Sequence, residues 1–245
     1  MKPTPTSLPD RLPLLAFGAH PDDIEFGCGG VIALEARTGR DVHLVVCSRG
    51  ESGTNGTPRI RTAEARAAAR ALGARLEFIE LGGDAHFEET VARVLTLAAL
   101  IRRLRPGLVL APSVVENQHP DHSKLGRMVR NAARLARYGG VAELKGAAPH
   151  AIGPLLYYAV APDAEPRDLA PVLVDVSAPD VVAAWTTAME AHASQLQTRN
   201  YAEIQLARAR VQGSRCGAAH AIALFPNDAL VFGSLEPLAR AARRL

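Results

Sequence analysis

Aromatic residues are scarce in this 245-residue chain, at 4%, so the stacked side chains that hold single-stranded nucleic acid are largely missing. Cysteine is rarer still. Cys28, Cys47 and Cys216 are odd in number and far apart, which argues against a disulfide framework and fits reduced thiols in a cytoplasmic protein. No single sign of charge dominates: 28 Lys and Arg against 25 Asp and Glu leave a formal +3. The run Arg59, Arg61, Arg66, Arg70 and Arg75 is broken by Glu64 and followed by Glu77 and Glu80, the pattern of a solvated helix face. No apolar stretch approaches bilayer length, and residues 12–19 are too few even for a signal segment. These absences point away from nucleic-acid and membrane partners and leave a homo-oligomer open.

What is present is an ordinary globular composition, 48% hydrophobic and 22% charged, of a length that one α/β core can accommodate. Residues 1–245 are therefore expected to form a single domain, with the Pro-rich first ten residues frayed. The apolar run 12–19 predicts a buried strand. It is followed by His20-Pro21-Asp22-Asp23 and by Gly27, Gly29 and Gly30, which are expected to open a helix over 31–38.

Strand, loop and helix then recur. Strands are predicted at 42–47, 75–80, 107–111, 155–160 and 172–176. Helices are predicted at 58–72, with Thr57 as cap and Pro58 in the first turn, at 88–104, after His122, and from about Tyr201 to Gln212. A further helix is expected to begin at a Ser177-x-x-Asp180 capping box. This alternation predicts an α/β three-layer sandwich of Rossmann-like form, with a mostly parallel central sheet and helices on both faces. Loops after the strand ends would then share one rim, where such sheets bind ligands.

Two segments on that rim carry the chemistry. His20-Pro21-Asp22-Asp23 and His119-Pro120-Asp121-His122 lie about a hundred residues apart, each just after a predicted strand. Imidazoles and a carboxylate can hold Zn²⁺ while leaving a position open for water, the arrangement of a catalytic site. Adjacent Asp22 and Asp23 point different ways, so one can ligate while the other takes a proton from water. Asp121 could orient whichever histidine stays off the metal. The glycines lack the full dinucleotide fingerprint and are read as packing residues. His192 is read as a core or rim histidine, and His43, His86 and His150 have no partner motif.

At these residues the chain resembles the zinc-dependent N-acetylglucosamine deacetylase family called PIG-L or LmbE-like, with Ala19-His20-Pro21-Asp22-Asp23 and His119-Pro120-Asp121-His122 as its two signatures. The likeness extends to Ser52-Gly53-Thr54-Asn55-Gly56-Thr57, Arg61-x-x-Glu64 and Ser194-Gln195. It implies one Zn²⁺ per chain on His20, Asp23 and His122, with Asp22 as general base. His119 would stabilise the oxyanion or protonate the leaving amine, and Asp121 would orient its histidine neighbour. Arg61, Asp84 and Asn117 are implied as contacts to a small N-acetylated sugar. Deacetylases of bacillithiol and mycothiol precursors are the members it is most similar to in kind. The chain departs from the family at His220-Ala221-Ile222, where a tyrosine and an acid are usual. Two other readings stay open from sequence: a zinc amidohydrolase acting on a non-sugar acyl amide, and a non-enzymatic Rossmann-like binding module.

Overall fold

A computed structural model describes residues 11–116, 119–197 and 199–235. The expected fraying of the first ten residues and the site candidate Asn117 lie outside them. Strand β1 (Leu14–Gly18) is buried along its whole length. Its side chains alternate between the two faces of the sheet, as a pleated strand requires. Leu14 and Ala16 enter one core, and Leu15 and Phe17 the other. The strand is shorter than its apolar run because Leu12 is exposed and Ala19 belongs to the following turn.

The chain continues through α1 (Asp23–Arg37), β2 (Val42–Val46), α2 (Pro58–Leu72), β3 (Arg75–Phe78), α3 (Val91–Leu104), β4 (Leu108–Pro112) and α4 (Pro120–Ala136). It ends with β5 (Leu155–Tyr158), β6 (Val172–Asp175), α5 (Pro179–Glu190), α6 (Tyr201–Ser214) and β7 (Ala221–Pro226). The sheet order is β3-β2-β1-β4-β5-β7-β6. The first five strands are parallel, and β7 runs antiparallel to both β5 and β6. Helices α1, α2, α5 and α6 contribute to the core on one face, while α3 and α4 contribute to the core on the other. Successive strands step outward from β1 in one direction and from β4 in the other. The crevice beyond the carboxyl ends of β1 and β4 is therefore the switch point at which ligands bind.

Three local expectations are corrected. Strand β7 is an addition to the predicted set, and it occupies the stretch where the chain departs from the family pattern, starting one residue after His220. Helix α1 begins at Asp23 rather than after the glycines, which lie inside it beside a kink at Cys28. Ser177 does not cap α5. The cap position is Ala178, and the Ser177 hydroxyl instead donates to the His220 carbonyl at 3.2 Å and accepts from the His220 N–H at 2.9 Å. Pro179 starts the helix one residue late for the capping box, placing Asp180 in the second helical position. The Thr57 cap is found as read, accepting from Ile60 N at 3.3 Å.

The α1 glycines let the helix backbone lie against two aromatic rings. A Cβ on Gly27 would come within 2.1 Å of the Tyr158 ring, and one on Gly29 within 2.6 Å of Trp185. Both rings are also pinned by hydrogen bonds, Tyr158 Oη to the Phe17 carbonyl and Trp185 Nε1 to the Glu25 carbonyl, each at 2.7 Å. Gly27→Ala is accordingly expected to destabilise the fold by about 1–3 kcal/mol, read as a lower urea midpoint. An unchanged midpoint would mean that the Tyr158 ring yields freely. Among the described residues, no helix is long and apolar enough to cross a membrane.

Candidate active site

The turn after β1 and the first turn of α4 meet at the switch point. Pro21 stiffens the first loop, and Asp22 then adopts φ 114°, a left-handed conformation that costs a residue with a Cβ and is held only where the surroundings enforce it. The bend turns Asp23 back onto its own loop, where Oδ2 accepts from the N–H groups of Ala19 and His20, both at 2.9 Å. Its other oxygen, Oδ1, lies 3.0 Å from Nε2 of His122, which is 99 residues away in sequence. His20 Nδ1 stands 3.4 Å from Asp23 Oδ2, and His20 Nε2 faces Asp84 Oδ1 at 3.1 Å and Asp121 Oδ2 at 3.4 Å. His119 caps α4, accepting from Asp121 N through Nδ1, and turns Nε2 to within 3.4 Å of Asp84 Oδ1. His20, Asp23 and His122 are almost wholly buried, whereas a third of the His119 side chain is exposed at the mouth.

Carboxylates crowded around buried imidazoles favour positive charge at this point. Burial works against a charge on His20. Asp23, and then hydrogen bonds to Asp121, Asp23 and Asp84, outweigh it and raise the His20 pKa well above the usual histidine value. Burial would likewise raise Asp23, but His122 and His20 hold its carboxyl well below the ordinary range. Asp22 behaves differently. Burial, then the neighbouring Asp23 charge, pushes its pKa up to about 6 against the pull of Arg61.

The donor set suits a divalent cation. His20, His119 and His122 offer nitrogen atoms within 4.8 Å of one another, and His20, Asp84, His119 and Asp121 form a second such group. Asp23 is in neither group, but it stands against two of the histidines, with Oδ1 3.0 Å from His122 Nε2 and Oδ2 3.4 Å from His20 Nδ1. His122 Nδ1 and Asp121 Oδ1 are shielded from solvent and lack a hydrogen-bond partner among the described residues, leaving unspent capacity in the cluster.

Residues read from the family likeness stand close by, in supporting positions. Arg61 is buried, donating through Nη2 to the Pro21 carbonyl at 2.8 Å and Asp22 Oδ2 at 3.3 Å, and through Nη1 to the Gly50 carbonyl at 3.3 Å. It thus braces the loop that carries Asp22. Asp84 lies against the two histidines, and Asp121 reaches His20 and the Ala85 N–H at 2.7 Å. Glu64 does not pair with Arg61; it accepts from Ser194 N and Oγ at 2.8 and 2.6 Å, while Gln195 donates to the Asn55 carbonyl at 2.8 Å.

Sequence reasoning missed Ser48 and Glu51, and read Ser52 only as part of the family likeness. Ser48 Oγ donates to the Ala19 carbonyl at 2.8 Å. Glu51 accepts from Asp84 N at 3.0 Å, and Ser52 Oγ donates to the Asp84 carbonyl at 2.8 Å. For Ser48 and Glu51 the one sequence signal is a position just after β2, on the same rim as the histidine segments.

His192 is fully buried with its Nε2 3.5 Å from Glu25 Oε2, a core histidine as read. Burial disfavours its charge, but Glu25, then Asp22 and Glu64, raise its pKa above the ordinary 6.5. A raised folded-state value stabilises the fold fully below the unfolded pKa and loses that contribution as pH climbs through the folded one. Urea stability of the parent relative to His192→Gln is therefore expected to fall as pH rises above about 6.5, the unfolded histidine value. A parallel pair of curves would sink that assignment.

A sequence profile of the GlcNAc-PI de-N-acetylase family, PIG-L, matches residues 15–133, which include both histidine segments. A conserved protein of Thermus thermophilus superposes with a TM-score of 0.80 at 32% identity, over 94% of this chain and 100% of that one. The chain belongs to the PIG-L family.

Among curated relatives, PIG-L likeness reaches a Salinispora arenicola 1D-myo-inositol 2-acetamido-2-deoxy-alpha-D-glucopyranoside deacetylase, 31% identical over 57% of this chain and 56% of that protein. A Pseudomonas putida 4-oxalmesaconate hydratase is also 31% identical, over 51% of this chain and 53% of that protein. The chain thus spans about half the length of these curated relatives.

Proposed function

We propose that this PIG-L protein hydrolyses the N-acetyl group of a small N-acetylglucosamine-containing molecule, releasing acetate and a free amine. Zn²⁺, one per chain, would be held by His20, Asp23 and His122. When bound, it supplies Lewis acidity and brings the pKa of water down to about 7. The observation that supports the reading best is the meeting of Asp23 and His122 across 99 residues, beside an Asp22 carboxyl pushed up to about 6.

Asp22 takes the proton of the attacking water, and a carboxylate near that value is a base of useful strength close to neutral pH. Arg61 fixes its orientation through the contacts to Pro21 O and Asp22 Oδ2. At the mouth, protonated His119 donates to the oxyanion that develops on the amide oxygen, an effect for which one preorganised donor supplies about 3 kcal/mol. The same proton then passes to the leaving nitrogen. Asp84, against both His119 and His20, holds the His119 ring in place at the mouth, and Asp121 steadies His20 from the other side. Asn117 completes the set as a substrate contact. The protein is proposed to work in the cytoplasm.

The same base and cation could add water to a carbon–carbon double bond, and the hydratase relative gives that second reading an observation of its own. A panel of N-acetylglucosamine glycosides, acylated amino acids and unsaturated dicarboxylates separates them. Acetate release from the glycosides is expected. Turnover confined to acylated amino acids or dicarboxylates would overturn the sugar assignment, and ligand binding without any turnover would make the protein a binding module.

A further inference from the structure

Away from the catalytic rim, the C-terminal half of α4 carries a row of guanidinium groups beside a small cavity. Arg130, Arg134 and Arg137 follow one another at i, i+4 and i+7, the spacing that stacks side chains on one helix face. With Asn227 and Asp228 they help line a cavity of about 160 Å³, below the roughly 300 Å³ at which clefts for drug-sized ligands begin. Elsewhere in the chain Arg49, Arg103, Arg127 and Arg208 each sit against a carboxylate. Among the described residues, Arg130, Arg134 and Arg137 have no such ion pair. Arg130 Nε is also shielded from solvent without a hydrogen-bond partner, a costly condition for a guanidinium N–H.

The ordinary explanation of arginines late in a helix is that they offset its negative end. Here another residue already does so. Arg102, itself buried, donates through Nε to the Ala136 carbonyl at 2.9 Å and through Nη2 to the Tyr138 carbonyl at 2.6 Å, with Nη1 on the carbonyls of Leu144 and Ala147. The charge lining the cavity is therefore surplus to the helix. Three guanidinium groups less the Asp228 carboxylate, which accepts from Asn227 Nδ2 at 2.6 Å, leave two positive charges.

We propose that this cavity binds a compact dianionic oxyanion: phosphate, or the phosphoryl group of a small monoester. The guanidinium forks match its oxygens two at a time, and the charge balance matches a dianion. The site is independent of the proposed deacetylase reading.

Titration calorimetry of the metal-loaded protein with inorganic phosphate, and separately with glycerol phosphate, tests it. Saturable one-site binding is expected, weakened on the order of tenfold or more in the R130Q/R134Q/R137Q protein and weakened by added salt. Binding of both ligands identifies the phosphoryl group as what is recognised, and binding of phosphate alone identifies the free ion. Turnover and thermal midpoint of the triple variant are expected to match the parent, since none of the three touches the active site. If that variant fails to fold, Arg134→Gln at an exposed position is expected to weaken binding severalfold. Binding of neither ligand, or an affinity that survives the substitutions because the anion sits at the metal centre instead, overturns the proposal.

Discussion

Asp22→Asn is expected to leave close to one metal ion per chain while lowering turnover by about 10²–10⁴-fold, the usual contribution of a positioned general base. The substitution preserves shape and the capacity to accept from Arg61 Nη2, so the loop that carries residue 22 retains its brace. What it removes is basicity. Asp23 makes its own contacts to Ala19 N, His20 N and His122 Nε2, none of which passes through the Asp22 side chain. Metal analysis alongside initial rates reads the two effects separately. Retention of most activity would end the general-base assignment. Loss of metal together with activity would instead make Asp22 part of the cation's cage.

His122→Ala is expected to lower metal content and turnover together, with affinity for Zn²⁺ reduced by well over tenfold. Asp23 would then keep its two amide donors but lose the imidazole 3.0 Å from Oδ1. The carboxylate-rich group of His20, Asp84, His119 and Asp121 would survive intact, which makes the outcome informative. If the variant binds one ion as tightly as the parent, the cation belongs to that second group, and the assignment of Asp23 and His122 as ligands fails. Chelator treatment of the parent should abolish turnover, and added Zn²⁺ should restore it. A protein indifferent to chelation would remove the cation from the reaction altogether.

Much of the architecture was legible from local pattern. The apolar run that became β1 and the Thr57-Pro58 start of α2 are set by neighbours in sequence: burial on both faces of a parallel strand, one side-chain oxygen for an orphan amide. The two histidine segments could also be read directly, because each packs ligand types into four consecutive residues behind a strand. Strand β7 escaped notice because a short apolar stretch such as Ala221–Pro226 has no periodicity that separates strand from helix. Its antiparallel course depends on strands β5 and β6, tens of residues away.

What the tertiary structure alone decided is which groups face one another. His20 meets Asp121 across 101 residues, and Arg61 reaches Pro21 across 40. Those contacts follow from β4 and β2 each lying beside β1 in the sheet, a choice made by the packing of whole helices on both faces. The glycines of α1 show the same division. Their presence was plain from composition, yet the reason for them, the rings of Tyr158 and Trp185 against the helix backbone, exists only once distant segments share a core. Local chemistry is written in adjacent residues, whereas a contact between remote ones is a property of the folded sheet, because only the sheet brings them within bonding reach.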